Sequence, residues 1–356
     1  MTNIAELRLN SRLINIIMIL VTGGTGLVGA HLLYQLIISG ESPVALKRAS
    51  SDISKTKKIF SYYSQDYETL FNKIKWVDGD ILDYYSVQDA MDGIKNVYHA
   101  AASVSFQSSD KEGIISTNVT GTTNIVNAAI EKKVEKLIHV SSIGALGRAT
   151  ANGIVTEETY WSSKKSSVYS TSKYHAEMEV WRGIAEGLNA VIINPSIILG
   201  PGDWSTGSSK LFATMYNGLK FYSTGTNGFV DVEDVARVMK MLMESDITGK
   251  RFIINSENVS YKEFFFWMAD SLCVPRPKYK ATRLLSEIAW RLLWMRGLLT
   301  GTKSTITRET AITANQNYYY SNNKITKEFN ISFLSVKNSV EKNAAFFIRD
   351  HNNSGN

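Results

Sequence analysis

The chain has one cysteine in 356 residues, Cys273, so no disulfide can form within it. That poverty fits a reducing compartment, and the chain reads as cytoplasmic. Cys273 stands between Leu272 and Val274 and reads as a small packed hydrophobe rather than a nucleophile. Long apolar runs are also missing. The longest outside the expected core, residues 284–299, holds Trp290, Leu292, Leu293, Trp294 and Met295, but Glu287, Arg291 and Arg296 break it, which excludes a membrane span. The histidines show no close ligand spacing; His99, His139 and His175 read as packing or polar contacts, and no metal is expected. The net charge of +6 is scattered in small groups such as Lys55, Lys57 and Lys58, or Lys132 and Lys133. No long basic run with interleaved aromatics occurs, so nucleic acid is not an expected partner. No internal repeat is visible. A cleaved signal peptide is excluded as well, because the apolar residues 13–21 run straight into a glycine-rich turn and cleavage would fall inside the first strand.

What is present is an alternation. The chain is 44% hydrophobic and 20% charged, enough to bury a sizeable core. Apolar strand patterns at 14–21, 44–47, 74–77, 96–100, 136–141 and 190–195 alternate with helical patterns at 27–39, 84–92, 113–132 and 167–187. Such alternation predicts right-handed βαβ units: a doubly wound parallel sheet with helices on both faces, and ligands beyond the carboxyl ends of the strands. Residues 1–17 read as an N-terminal extension, poorly ordered over 1–12, and residues 351–356 as a disordered polar tail.

The first strand stops at Thr22-Gly23-Gly24-Thr25-Gly26-Leu27-Val28-Gly29, and an apolar helix follows. Glycines in this context permit a tight turn, a close approach of backbone to a pyrophosphate, and close helix–strand packing. The free N–H groups at the helix start then face the phosphates. Much further on, Tyr169 and Lys173 stand four apart, on one helix face. A tyrosine with an ordinary pKa near 10 becomes a useful acid at neutral pH only if its anion is stabilised, and a cation one turn away does this.

These motifs come with others in a fixed order: Gly79-Asp80-Ile81, His99-Ala100-Ala101-Ala102, Asn118-Val119-Thr120-Gly121-Thr122, Val140-Ser141-Ser142, Tyr169 with Lys173, and Asn194-Pro195-Ser196 before Gly200-Pro201-Gly202-Asp203. The whole set resembles the extended short-chain dehydrogenase/reductase superfamily, the NAD-dependent epimerase/dehydratase family. It is most similar to the branch with dihydroflavonol reductases and 3β-hydroxysteroid dehydrogenases. The resemblance implies a Rossmann-type α/β domain over 18–195 with a return segment near 226–256. A smaller, mostly helical substrate-binding part would comprise 196–225 and 257–350.

The resemblance also assigns roles. Tyr169 would be the acid, Lys173 would support it and hold the nicotinamide ribose, Ser142 would bind the substrate oxygen, and Asn118 would serve a water relay. Gly23, Gly26, Leu27, Val28 and Gly29 would hold the pyrophosphate, Asp80 and Ile81 the adenine. Ala100, Ala101 and Ala102 would let the cofactor lie close to the backbone, and Pro195 and Ser196 would pack near the nicotinamide.

NAD-binding relatives close the second strand with an acidic residue that takes the ribose 2′-OH. Here Lys47 and Arg48 stand there instead, and Asp52 is the nearest acid. Two cations would attract a 2′-phosphate, so NADP(H) is expected over NAD(H).

The implied activity is an NADP-dependent oxidoreductase that reduces a carbonyl, or oxidises the matching secondary alcohol, of an apolar or aromatic small molecule. Substrate walls are expected from residues 103–107, 144–148, 197–212 and 257–300, which include Phe106, Leu146 and Trp204. The stretch 284–299 reads as a helix packed over that site; a membrane-surface helix is the alternative. Rival readings are a sugar-nucleotide epimerase or dehydratase, a 3β-hydroxysteroid dehydrogenase/isomerase, and a non-catalytic NADP-binding redox sensor. Asn194-Pro195, where many nucleotide-sugar enzymes have Arg-Pro, weighs against the first; the retention of Ser142, Tyr169 and Lys173 weighs against the last. A homodimer would use the long helices 113–132 and 167–187.

Overall fold

Apolar runs become strands and amphipathic runs become helices over most of the chain. The computed structural model describes residues 18–104, 110–148, 153–163, 166–282, 285, 287, 290, 291 and 313–354. Its main sheet has seven strands: β1 (Ile19–Thr22), β2 (Val44–Lys47), β3 (Lys75–Asp78), β4 (Asn96–His99), β5 (Lys136–Val140), β6 (Ala190–Pro195) and β7 (Lys250–Ile254). All pairings are parallel and the spatial order is β3-β2-β1-β4-β5-β6-β7. The order reverses between β1 and β4, which places a crevice at their carboxyl ends.

Alternate residues of each strand feed opposite cores, as a period of two requires. On one face Ile19, Val21, Ala45, Ile138 and Val191 pack with α1 (Leu27–Ile38). On the other, Leu20, Val44, Leu137, Ala190 and Ile192 pack with α2 (Tyr84–Ala90), α3 (Gly121–Glu131) and α4 (Val168–Ala185). The sheet is thus covered on both sides, and the fold is a Rossmann-type doubly wound α/β domain.

Local chemistry sets the helix ends. Ser167 caps α4 by accepting from Ser170 N at 2.9 Å. Arg182, in its last turn, pairs with Glu179 and Glu186. Asp231 caps α5 (Val232–Glu244), whose first turn carries Glu233 and Asp234, the sign that suits a helix N-terminus.

A second core joins Leu199, Phe212, Phe229 and Val259 to α6 (Tyr261–Ser271) and α7 (Val336–Ser354). This part is helical as expected, but it also holds a three-stranded sheet of Ile197–Leu199, Thr226–Asp231 and Glu257–Ser260. Thr226–Asp231 pairs within that small sheet; the return to the main sheet is made by α5, which packs on it, and by β7.

The structure departs from the sequence reading in further places. Cys273, expected to be packed, is exposed and has φ +55°, and the polar tail expected to be disordered is helical as far as Ser354. Two helices that the sequence reading did not anticipate, Ser54–Tyr63 and Tyr67–Phe71, lie between β2 and β3. The expected helix 113–132 consists of an α-helical start at Lys111–Ile115, a π-helical turn at Ser116–Thr120 and then α3.

Polar contacts through Lys342 and Asp350 fasten α7 to the body. Lys342 pairs with Asp231 and Glu233, and Asp350 accepts from Tyr62 and from Trp204 Nε1. No described helix is long and apolar enough to cross a membrane. The extension 1–17, Phe106, and residues 284–299 apart from isolated positions lie outside the described residues.

Candidate active site

Strand register decides which residues leave the sheet together. Thr22 is level with Leu46 of β2 and with His99 of β4, His99 with His139 of β5, and Val140 with Ile193 of β6. Gly23, Lys47, Ala100, Ser141 and Asn194 therefore emerge at one edge, although they lie far apart in sequence.

The glycine turn is tightly closed. Gly23 has φ +73°, the left-handed region that favours glycine. A Cβ there would lie 2.6 Å from Ala101 N. Gly26 N donates to Gly23 O at 2.9 Å, and a Cβ on Gly29 would lie 2.2 Å from the same oxygen. Gly26 caps α1 with no side-chain hydrogen bond and no acid stands in the first turn. The helix start therefore presents open N–H groups and a positive end to an anion. Leu27 and Val28 are half-buried beside it. Thr22 Oγ1 accepts from Ala101 N at 3.2 Å and bonds His99 at 2.8 Å, which holds the backbone of Ala100 and Ala101 against the turn. This cradle, which any Cβ at Gly23 or Gly29 would fill, fits a dinucleotide pyrophosphate.

Around the ribose and adenine end the placement is mixed. Arg48 is exposed just beyond β2 and has no ion-pair partner among the described residues. Lys47 is already paired with Asp78, so its charge is partly spent before any phosphate arrives. Asp52 accepts from Ser54 N at 2.9 Å, a turn bond that turns the nearest acid to local use. Asp80 Oδ1 accepts from Leu82 N at 3.0 Å, the habit of a turn aspartate. Ile81 is buried against Gly121, where an added Cβ would meet its Cδ1 at 2.5 Å.

The catalytic candidates converge. Tyr169 and Lys173 occupy the first turns of α4. Ser142 follows β5, and its Oγ accepts from Gly144 N at 3.0 Å. A methyl on Gly144 would lie 3.4 Å from Ser142 Oγ and 3.6 Å from Tyr169 Cε1, so the two side chains flank one glycine. Lys173 is 2% exposed and donates to Val140 O at 2.8 Å. Burial pushes its ammonium down to about 8, while Glu177 pulls the other way. Ser196, next to Pro195 at the end of β6, has a buried Oγ with no partner among the described residues, an open polar position.

Asn118 is held by its side chain. Its Oδ1 accepts from Ser103 N at 2.7 Å, and its amide donates to Ser103 O at 3.0 Å and to Ser172 Oγ at 2.9 Å. Both amide hydrogens are committed to protein groups. Ser172 Oγ in turn donates to Tyr169 O at 2.8 Å, so Asn118 braces the backbone that carries Tyr169.

Glu177 was not among the site residues expected from the sequence. It lies one turn past Lys173 and is fully buried. Its only sequence signal was a third polar residue on the face of Tyr169 and Lys173. His99 and His139 are buried and uncharged, His99 with a pKa pushed down to about 3, and no group of three metal-binding side chains exists among the described residues.

A model of the NAD dependent epimerase/dehydratase family matches residues 19–255. The chain is 29% identical over 341 residues to a putative dihydroflavonol 4-reductase of Synechocystis, covering 93% of this chain and 94% of that one. It is 28% identical over 273 residues to sterol demethylase protein B of Methylococcus capsulatus, covering 76% and 79%. Among solved structures, gox2253 superposes with a TM-score of 0.78 at 28% identity, covering 94% and 98% of the two chains.

Proposed function

The chain belongs to the NAD dependent epimerase/dehydratase family, as an enzyme of the extended short-chain dehydrogenase/reductase type, and from that premise we propose that it is an NADP-dependent reductase of an apolar or aromatic carbonyl compound. The observation that carries the reading is the placement of Tyr169 and Ser142 about Gly144, with the Lys173 ammonium buried one turn along α4.

When bound, the nicotinamide supplies the hydride chemistry. The protein supplies position and protons. Ser142 Oγ accepts from Gly144 N, which leaves its O–H to donate to the substrate oxygen. Tyr169 donates the proton that the same oxygen takes up, a contribution typically worth ~10²–10⁴-fold. Lys173 spends one of its three N–H bonds on Val140 O. The other two are available to the cofactor ribose, and its charge favours the tyrosinate left behind. Gly23, Gly26, Leu27, Val28 and Gly29 hold the pyrophosphate, and Arg48 takes the 2′-phosphate with Lys47 in support. Asp80 and Ile81 border the adenine, while Ala102, Pro195 and Ser196 line the nicotinamide side.

The direct test is fluorescence titration with NADPH and NADH, then NADPH oxidation with aromatic aldehydes, a dihydroflavonol and a 3-ketosteroid. Tighter NADPH binding with turnover of one of these supports the reading. Binding without turnover of any of them moves it to sugar nucleotides or a sensor.

Two further outcomes are expected. Arg48→Asp replaces the one cation at β2 that no acid neutralises, and the preference for NADPH over NADH should fall at least ~10-fold, the scale of a lost charge-assisted bond. An unchanged preference places the 2′-phosphate elsewhere. The rate of carbonyl reduction should decline on the alkaline side as pH passes about 8. The sign follows from the charge: below that pH Lys173 is an ammonium that favours the tyrosinate, and above it the support is gone. A rate that stays flat well above pH 8 would remove Lys173 from that role.

A further inference from the structure

Glu177 carries a buried carboxylate that the mechanism above leaves without a task. Each of its oxygens takes two donors. Oε2 accepts from Ser141 Oγ at 2.7 Å and Asn194 Nδ2 at 2.8 Å. Oε1 accepts from Arg251 Nη1 at 2.9 Å and Trp181 Nε1 at 3.2 Å. Burying an anion is costly unless it is paired and fully hydrogen-bonded, so a site this complete is built around the charge.

The donors are not scattered. Ser141 precedes Ser142, and Asn194 precedes Pro195. Asn194 Nδ2 also donates to Ser142 O at 3.0 Å. Glu177 itself follows Lys173 by one turn of α4. One carboxylate therefore joins the three chain segments that present the substrate-oxygen donor, the lysine and the nicotinamide-side proline. Arg251, from β7, closes the cluster and also donates to Glu157 O.

We infer that Glu177 is a positioning residue for proton transfer: it locks these three segments in register and supplies the negative charge that faces Lys173. The inference rests on the reductase reading above. The other charged or titratable groups near this pair are few. His99 on β4 and His139 on β5 face Lys173, and both stay neutral because burial disfavours their charged forms. Arg251 faces Glu177 from β7, and the carboxylate of Glu157 beyond it accepts from Ile253 N at 2.9 Å. Among the described residues, Glu177 is thus the anion whose charge acts on Lys173, without a direct ion pair between them.

The test compares Glu177→Gln, Asn194→Ala and Tyr169→Phe with the parent enzyme. It follows NADPH oxidation with the carbonyl compound of the panel above that the parent turns over best, across pH values on both sides of 8. Glutamine keeps the shape, removes the charge, and turns an N–H toward donors. Its kcat should fall about 10-fold or more with KM for NADPH within roughly 3-fold, and its alkaline limb should move down by roughly one pH unit. Asn194→Ala keeps the charge but cuts the tie to Ser142 and β6. Its kcat should fall about 3- to 10-fold with the limb in place.

A folded Glu177→Gln enzyme with the parental kcat and limb overturns the inference. So does one whose kcat falls while KM for NADPH rises well beyond 3-fold and the limb stays still, the mark of a merely structural residue. If Glu177→Gln yields no soluble protein, Asn194→Ala decides: a parental kcat overturns the tie. Tyr169→Phe separates the two levels. Parental turnover by Tyr169→Phe, or no panel turnover by the parent enzyme, overturns the reductase reading and this inference with it. An inactive Tyr169→Phe beside an unaffected Glu177→Gln overturns this inference alone.

Discussion

Replacing Tyr169 by phenylalanine is expected to lower kcat by ~10²–10⁴-fold, the range of a lost general acid, and to leave NADPH affinity within a few-fold of the parent. The two expectations are separable because of where the hydroxyl sits. The cradle for the pyrophosphate is made of backbone at Gly23, Gly26 and Gly29, and none of its contacts runs through Tyr169. The phenol ring itself is half-buried beside Gly144, so phenylalanine can keep the packing while losing the hydroxyl. The backbone beneath it is braced independently by Ser172 and Asn118, which the substitution does not touch. Steady-state rates together with a fluorescence titration check both parts. Turnover close to the parental rate would remove Tyr169 as the acid. Loss of cofactor affinity together with rate would mean that the residue's role is mainly in binding.

An alanine at Gly29 should cost more and cost it differently. Its Cβ would lie 2.2 Å from Gly23 O and 2.7 Å from Gly23 C, closer than non-bonded atoms tolerate. Both neighbours are backbone, so no side chain can swing aside. The turn must open, and the bond from Gly26 N to Gly23 O at 2.9 Å is strained or broken with it. Overpacking of this kind typically destabilises by about 1–3 kcal/mol. The larger effect falls on binding, because the N–H groups that face the pyrophosphate lose their convergence. NADPH affinity should drop about 100-fold or more, equivalent to about 2.8 kcal/mol. Gly113→Ala is the control: nothing lies within 4 Å of its added Cβ, and its backbone is helical. It should bind NADPH as the parent does. Gly29→Ala binding equally well would mean that the turn is not the phosphate site.

These expected results draw on different amounts of sequence information. The strands and the main helices were legible because a buried parallel sheet demands short apolar runs and its covering helices demand a 3.6-residue stripe. The two patterns rarely imitate each other over a whole βαβ unit. The helices Ser54–Tyr63 and Tyr67–Phe71 were not legible in this way. The first is charged and aromatic, with Lys55, Lys57 and Lys58 among Phe60, Tyr62 and Tyr63, and its buried face shows only once its partners are known. The π-helical turn at Ser116–Thr120 has no simple signature in composition, yet Asn118, which braces the Tyr169 backbone through Ser172, lies within it. The small sheet of Ile197–Leu199, Thr226–Asp231 and Glu257–Ser260 escaped because its strands are short and one of them, Thr226–Asp231, carries polar residues and a glycine.

The sequence by itself determined the chemistry on offer. It set a glycine turn between a strand and a helix, a tyrosine and lysine one turn apart, cations where an acid would select NAD, and no cysteine pair. Those are local facts, written in residue type and spacing. Only the tertiary structure decided how they are shared out. Parallel register brought Gly23, Ala100, Ser141 and Asn194 to one edge, because pairing fixes relative height across strands that the chain visits far apart. Burial moved Lys173 down to about 8, because desolvation depends on what surrounds an ammonium and not on its neighbours in sequence. The pairing of Lys47 with Asp78 left Arg48 as the freer cation. And Glu177, one polar residue among several on α4, gained four donors from β6, β7, the residue after β5 and its own helix only when the sheet closed beneath it.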